Sequence, residues 1–411
     1  MNWKICWISA AALSVASAAN AQPIGYEEAL RLARVEQPAL EARELQVEAL
    51  HALAGAADQL PDPVLSAGVV NFPVSGPNAY NLNAIEMNML ELGMEQTFPN
   101  LAKRNAEAKV AASEVHIAQA QLTHASHDIG IATGLAWIAL AYAQQRLDLA
   151  STAQAELRKL VPAARSAVSA GSARPAQSLE IRRALLDIDD AKTRIAADLQ
   201  SAQAQLTRYV PGENPIATGA VPTADLDPFQ LRMTLERNPV ILLADAQERR
   251  EKAAIERARA DKRPDFGVNA SFGRRNPDFG NLVTIMGSVT LPLFQGHRQK
   301  PRIAAAEAQA MAAAAERQDT LRAITAQFES DLAAWHSAMR QWQRARDELL
   351  PLARDRADLE TASFAAGRAD LIDVIAARTA LALLELDILE REAAAVEAAA
   401  VLRLTYGEQM L

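Results

Sequence analysis

Two kinds of hydrophobic periodicity divide the chain. Over most of its length, apolar residues recur at alternating intervals of four and three, as in a helix that buries one stripe against a neighbouring helix. One stripe consists of Phe328, Leu332, Trp335, Met339 and Trp342, and a second of Ile131, Leu135, Ile138, Tyr142 and Leu149. The pattern therefore predicts long helices packed as coiled coils.

Shorter segments alternate between apolar and polar residues, as strands with one apolar face do. The apolar faces comprise Phe266, Val268, Ala270 and Phe272, then Val283, Ile285, Val289 and Leu291, and in the first half Leu65, Ala67 and Val69 opposite Ser66 and Gly68. Such strands suit a transmembrane barrel with a wet interior. Four strands cannot close a barrel alone, and open edges cannot lie in lipid, so an oligomer is predicted. The alternative is a small soluble sheet packed on helices.

The chain is internally duplicated. Landmarks recur about 200 residues apart in one order: Gln37-Pro38 and Asn238-Pro239, Pro61-Asp62 and Pro264-Asp265, Gly171 and Gly367. Each repeat is predicted to contain a helix, two strands, a long helix and a return helix. The predicted helices before the return helices span Tyr26 to Gln59, Asn100 to Ala170, Pro228 to Lys262 and Gln295 to Ala366. The repeats occupy 22–210 and 228–411, with a proline-rich linker at 211–227.

The N-terminus has the features of a secretory signal peptide, residues 1–21. Lys4 precedes an apolar run, and Ala19-Asn20-Ala21 is a typical cleavage site, so the mature chain is expected to begin at Gln22. The alternative is a buried N-terminal helix. The single cysteine, Cys6, leaves with the peptide, so no disulfide, thiolate metal site or lipidated N-terminal cysteine is expected.

Charge, apolar content and missing motifs exclude several classes of function. The 42 Lys and Arg residues are interleaved with 50 Asp and Glu, and the net charge of −8 argues against nucleic-acid binding. The chain has no internal apolar run of the roughly 18 residues that a transmembrane helix needs. It also has no P-loop, G-x-S-x-G or H-E-x-x-H motif. The sequence therefore predicts no enzyme and no cofactor.

Three segments carry a family resemblance. They are Pro61-Asp62-Pro63 before a strand, Gln96-Thr97-Phe98-Pro99 followed by Lys103-Arg104, and the turn from Phe364 to Leu381. With the duplication, they resemble the TolC family of outer-membrane efflux proteins over essentially all of the mature chain. The resemblance implies a mainly α fold, with a tunnel of long antiparallel helical hairpins and four strands per chain in a trimeric twelve-strand barrel. It also implies a passive exit duct in the outer membrane that extends into the periplasm.

The resemblance also implies partners. They are two further copies in a homotrimer, outer-membrane lipid, a periplasmic adaptor (membrane fusion) protein and an inner-membrane pump of the resistance-nodulation-division type. The run Asp58 to Gly68 resembles the heavy-metal and copper efflux branch, which favours ions such as copper as cargo. Drug or small-molecule efflux and type I secretion by the same fold stay open. Alternatives from other classes are a periplasmic adaptor and a coiled-coil structural protein.

The predicted functional residues lie at the two helix turns. Gly171 and Gly367 supply left-handed backbone, and with Arg174 and Arg368 they are predicted to dock the adaptor. Asp370 and Asp373 share one face of the returning helix. The resemblance implies that Asp373 lines the periplasmic aperture, where three copies would form a carboxylate ring. Helix capping is the alternative, favoured for Asp370. Ala376 occupies the place where the family usually has a second acid.

Two further groups contain residue types that can bind metal ions. His124, His127 and Asp128 lie within one helical turn, and Met87 and Met89 lie two apart in a predicted strand. Soft sulfur and imidazole donors are the relevant ligands. Ordinary polar positions on a helix and a lipid-facing apolar pair explain these residues more simply, so no metal site is predicted.

Overall fold

A computed structural model of the chain describes residues 22–35, 37–83, 85–169, 174 and 176–407. The predicted signal peptide and Gly171 lie outside the described residues. Within them, no helix combines the length and apolarity needed to cross a membrane. The elements in this part of the chain are β1 (Gln22–Ile24), α1 (Tyr26–Val35), α2 (Pro38–Ala56), β2 (Val64–Val70), β3 (Met89–Phe98), α3 (Leu101–Ser169), α4 (Gln177–Thr207), β4 (Pro215–Ala217), α5 (Pro228–Met233), α6 (Pro239–Ala260), β5 (Asp265–Arg274), β6 (Leu282–Thr290), α7 (Gln299–Arg344), α8 (Leu350–Ala365) and α9 (Leu371–Tyr406).

The two predicted 35-residue helices are each broken before a proline. The first is interrupted between α1 and α2, and the second between α5 and α6, where Leu235–Arg237 form a 3₁₀ turn. Proline has no N–H to donate and disfavours helical backbone in the residue before it. Asn238 also caps α6, because its Oδ1 accepts a hydrogen bond from the N–H of Val240 at 3.0 Å. The prediction of continuous helices was therefore wrong at both places.

The long helices differ between the repeats. Helix α3 matches the span predicted from Asn100 to Ala170 within one residue at each end. Its counterpart begins at Gln299 instead of Gln295 and is interrupted by a π-helical turn, Ala345–Leu349, between α7 and α8. Pro351 follows this turn and cannot donate the hydrogen bond that would continue regular helix. The second long helix was thus predicted without its interruption.

The four longer strands form one antiparallel sheet in the order β2-β3-β5-β6. Aligned across it are Leu65, Met94, Ala270 and Ile285 on one face, and Ser66, Gly93, Ser271 and Thr284 on the next positions. The apolar face is exposed: Leu65 is 71% and Ile285 73% accessible. The predicted alternation is confirmed. Met87, however, precedes β3 instead of sharing a strand face with Met89, so that prediction was wrong.

The chain divides into two compact units, each drawn from both repeats. Unit 2 comprises Pro38–Ser126 and Thr234–Ala326 and contains the four-stranded sheet. Unit 1 comprises the described parts of Met1–Gln37, His127–Met233 and Gln327–Leu411. The repeats are therefore not the compact units of the fold, and their predicted boundaries stay a prediction.

Two tryptophans anchor extended segments inside unit 1. Trp137 Nε1 donates to the carbonyl oxygen of Ile24, and Trp335 Nε1 donates to that of Ala224, each at 2.9 Å. The first anchors β1, and the second anchors the 211–227 segment, which also contains β4 paired in parallel with β1. This segment packs into the core and is more than a spacer, because Ala224 is buried with Trp137 and because Ala217 and Val221 pack against the same cluster.

Candidate functional site

The turn between α8 and α9 is built around Gly367. Its φ of +70° lies in the left-handed region, which glycine adopts without a steric penalty. The N–H of Gly367 donates to the carbonyl of Phe364 at 2.9 Å, and the N–H of Arg368 donates to that of Ser363 at 2.8 Å. These two bonds are the Schellman motif that ends a helix and satisfies its last carbonyls. The left-handed backbone predicted for Gly367 is therefore present in this turn, while its docking role stays a prediction.

Asp370 and Asp373 follow this turn. Asp370 is the N-cap of α9, with extended backbone at φ −81° and ψ 150°, and its carbonyl accepts the N–H of Asp373 at 3.1 Å. Its side chain makes no capping hydrogen bond, so it favours the helix through charge alone. Asp373 is exposed on the same face of α9 as Ala376 and Ala380. This carboxylate is therefore open to whatever lies beside that face.

The opposite face of α9 holds the turn in place. Leu371, Val374 and Ile375 are buried in a cluster with Ala164 of α3 and Ile181 of α4. Burying side chains of this size stabilises the packing by about 1.5–3 kcal/mol each. An ion pair also ties α9 to α8, since Arg378 lies 3.0 Å from Asp358 and 3.1 Å from the hydroxyl of Thr361. The exposed acids are thus carried on a rigidly packed helix.

Comparison with known proteins identifies proteins that are similar to this chain. A model of the family described as outer membrane efflux protein matches residues 231–408. The cobalt-zinc-cadmium resistance protein CzcC of Cupriavidus metallidurans is 24% identical over 88% of this chain and 84% of its own length. Residues 231–408 of the chain are therefore similar to the outer membrane efflux protein family.

Solved structures agree on the fold of this efflux protein. A membrane protein from Pseudomonas aeruginosa matches with a TM-score of 0.79 at 18% identity, covering 93% of this chain and 90% of its own. CusC, whose structures concern transmembrane channel formation, matches with a TM-score of 0.77 at 15% identity, covering 93% and 92%. The predicted TolC-like architecture is confirmed. The protein is an outer-membrane efflux channel of a tripartite system, extends into the periplasm and is not an enzyme.

The predicted docking residues of the efflux protein are only partly described. Arg368 is exposed beside Gly367. Arg174 is exposed too, and its N–H donates to Oε1 of Gln177 at 2.9 Å at the start of α4. Gly171 lies outside the described residues. Arg378, which follows Asp373 on α9, forms an ion pair with Asp358 on α8 and is therefore not available as a counter-charge for Asp373.

One of the two histidines that could ligate a metal ion, His127, has a simpler structural explanation. Nε2 of His127 lies 2.9 Å from the carbonyl oxygen of Leu404, so the neutral ring can donate there as an ordinary link between α3 and α9. Asp128 is largely exposed. No metal role is therefore assigned to His124, Met87 or Met89.

One cluster in the efflux protein was missed in the sequence. We call Asn100, Lys103, Asp261 and Asp265 the clamp. Asp265 Oδ1 accepts the N–H of Asn100 at 2.7 Å and its side-chain amide at 2.9 Å. Lys103 Nζ lies 3.5 Å from Asp265 and 3.7 Å from Asp261. The clamp joins the start of α3 to the start of β5. A signal was present, because Asp261 and Asp265 belong to a motif that the chain contains twice.

Proposed function

We propose that this channel is the trimeric exit duct of a metal-cation efflux system. The observation that carries the cargo assignment is the likeness to CzcC, a protein named for cobalt, zinc and cadmium resistance, over nearly the whole chain. Metal cations would leave through the duct passively, with the energy supplied by an inner-membrane pump of the resistance-nodulation-division type. A periplasmic adaptor would join the two. The predicted signal peptide, 1–21, would direct the chain across the inner membrane.

The sheet supports a closed trimer. Strands β2 and β6 each pair on one side only within the described chain, and the sheet has one exposed apolar face. Unpaired strand edges are not tolerated in lipid, so the sheet must be completed by other copies. Three copies of four strands supply twelve, an even number as in bacterial outer-membrane barrels. The apolar face would then meet outer-membrane lipid, and the polar face would line the lumen.

The exposed turn between α8 and α9 supports the roles proposed for Asp373 and for the docking residues. Threefold symmetry would bring three copies of Asp373 together as the aperture, with Asp370 beside them. Such a ring attracts cations and repels anions. The turns with Gly171, Arg174, Gly367 and Arg368 would dock the adaptor, and the exposure of Arg174 and Arg368 is compatible with that role.

Gene deletion tests the cargo. The deletion strain and a strain complemented with the full chain are challenged with cobalt, zinc, cadmium and copper salts and with a panel of drugs. We expect the deletion to raise sensitivity to metal salts, and the complemented strain to recover. Sensitivity to drugs alone would instead identify a drug duct of the same fold. Unchanged sensitivity to every compound, with the protein present in the outer membrane, would contradict the proposal.

A further inference from the structure

We propose that Asp62 of one copy forms an intermolecular ion pair with the basic start of α7 on the neighbouring copy, where Arg298 immediately precedes the helix and Lys300 lies in its first turn. This inference rests on the proposed trimer and adds to it a specific charged contact beside the strand edge. Its argument begins with a motif that occurs twice. Asp58, Pro61 and Asp62 have the spacing D-x-x-P-D, and Asp261, Pro264 and Asp265 repeat it 203 residues later.

The two copies of the motif have different surroundings. In the second repeat both carboxylates approach Lys103, and Asp265 also accepts two hydrogen bonds from Asn100. In the first repeat Asp62 is exposed, and its carboxylate has no partner in the described part of the chain. The carboxylate of Asp58 accepts only the side-chain amide of Gln59 at 2.9 Å, while its backbone carbonyl accepts the guanidinium of Arg104 at 2.8 Å. The carboxylates of the motif therefore have a basic partner in the second repeat and none in the described first repeat.

The start of α7 has exposed basic side chains without an acidic partner in the described part of the chain. His297, Arg298, Lys300 and Arg302 are all exposed around its first turn, and this turn contains no acid. Positive charge at a helix N-terminus is unfavourable, because the aligned peptide dipoles already place partial positive charge there. Helix α3 also has a basic residue, Lys103, in its first turn, but Asp261 and Asp265 of the clamp neutralise it. No described side chain is paired with Arg298 or Lys300.

The strand pairing of the sheet indicates where Asp62 of one copy and the start of α7 of another would meet. Strands β3 and β5 are antiparallel, and Phe98 at the end of β3 pairs with Phe266 at the start of β5. This pairing is what brings the start of α3 beside Asp265. If β6 pairs with β2 of the next copy in the same antiparallel sense, the end of β6 meets the start of β2. The first turn of α7 then lies beside Asp62 of that copy, as α3 lies beside Asp265 within one chain.

Charge reversal tests the contact. Asp62→Lys is made in the full chain and then combined in turn with Arg298→Asp and with Lys300→Asp. The control is Asp278→Lys, because Asp278 is also exposed, follows a proline and adjoins a strand of the same sheet, but lies in the β5–β6 loop. The measurement is the rate at which the detergent-extracted trimer dissociates. We expect Asp62→Lys to accelerate dissociation about tenfold, equivalent to about 1.4 kcal/mol over three symmetric contacts.

One of the two combined variants should restore most of the wild-type rate, while Asp278→Lys leaves it unchanged. The intermolecular contact of Asp62 would be overturned if Asp62→Lys had no effect on a normal trimer, or if neither second substitution restored the dissociation rate. Either result would leave the proposed trimer intact. A wild-type chain that extracts only as a monomer would instead refute the trimer itself.

Cross-linking supplies a readout that does not depend on stability. Cys6 is the only cysteine in the sequence, so the chain without its leader is free of thiols. Differently tagged chains with Asp62→Cys and Arg298→Cys are co-expressed and oxidised. We expect a disulfide-linked dimer that contains both tags, and none when Asp278→Cys replaces Asp62→Cys. Absence of the mixed dimer in intact trimers would contradict the proposed neighbourhood.

Discussion

The two repeats contain the same landmarks but meet different surroundings. Trp137 and Trp335 make equivalent contacts, because each indole N–H donates a hydrogen bond of 2.9 Å to the backbone carbonyl of an extended segment. Asp62 and Asp265 have different contacts, since Asp62 is exposed and Asp265 lies in the clamp. The indole contact to the segment just before a repeat's first helix is made twice, whereas the contact between successive repeats is made once per chain. In the proposed trimer, a neighbouring copy would supply the second contact of the latter kind.

Truncation of the tryptophans should have the largest effect on stability. Trp137 is fully buried and Trp335 is 8% exposed. Truncating a buried aromatic residue costs about 3–5 kcal/mol, so Trp137→Ala and Trp335→Ala should both lower the unfolding temperature strongly. Because the two anchors are equivalent, we expect similar losses. Loss at only one position would contradict their equivalence.

Phenylalanine substitutions separate the hydrogen bond from the packing. Trp335→Phe should cost about 1 kcal/mol more than a matched control, since the carbonyl of Ala224 loses the indole donor. Trp137→Phe should cost less, because the carbonyl of Ile24 still accepts the N–H of Thr218 at 2.9 Å. The control is Trp342→Phe, because the indole nitrogen of Trp342 is buried without a hydrogen-bond partner in the described structure. Thermal unfolding in one detergent measures all three variants.

Local periodicity predicted the helices and strands but not these anchors. The heptad stripe includes Trp335 as an apolar position, and the Trp335 side chain is buried, as the stripe predicts. The indole bond to Ala224 depends on where a proline-rich segment 111 residues away passes, which no spacing encodes. The same holds for β1 and β4, since three-residue strands show no measurable alternation.

Breaking the intramolecular clamp should have the next largest effect. Asp265→Ala removes two hydrogen bonds to a carboxylate and the counter-charge of Lys103, so we expect a loss of about 1.5–3 kcal/mol. Asp62→Ala should change the stability of a single chain by less than about 0.5 kcal/mol, because it removes no contact there. Hydrogen exchange in the first turn of α3 measures the difference in detergent-dissociated chains. Equal exchange rates in the two variants would remove the contrast between the repeats.

The clamp also shows the limit of the sequence. Its proline and aspartate landmarks were visible as a repeat, and their order along the chain was predicted correctly. Which copy of the motif is paired follows from the strand order β2-β3-β5-β6, which places β5 inside the sheet and β2 at its edge. That order is a tertiary property, so the same D-x-x-P-D spacing has two different surroundings.

Substitution of the turn glycine should have a smaller effect. Gly367→Ala places a Cβ in open space, so its cost comes only from the left-handed backbone and should be about 1 kcal/mol. Gly296→Ala is the matched control, because its Cβ would also meet nothing and its φ is not in the left-handed region. It should be within about 0.5 kcal/mol of wild type. Equal unfolding temperatures for the two variants would contradict the strain argument.

The smallest expected effect concerns Asp373. If three copies form the aperture, Asp373→Asn removes a ring of charge and should lower the cation-to-anion permeability ratio about twofold or less. The effect should be clearest at low ionic strength, where the Debye length is long. Bilayer reversal potentials measure it, and Ala376 keeps the effect small because no second ring reinforces the first.

Asp370→Asn is the control for this measurement. Asp370 is the N-cap of α9 and favours the helix through charge alone, so Asp370→Asn should destabilise α9 by about 0.3–1 kcal/mol and lower the cation selectivity less than Asp373→Asn does. If Asp373 acts only on the helix dipole, its asparagine variant should instead destabilise α9 by about 0.3–1 kcal/mol and leave selectivity intact. Reversal potentials that match wild type in low and high salt would therefore assign Asp373 to the helix and not to the aperture. They would also imply that the exposed faces of α9 approach one another less closely than the proposed ring requires.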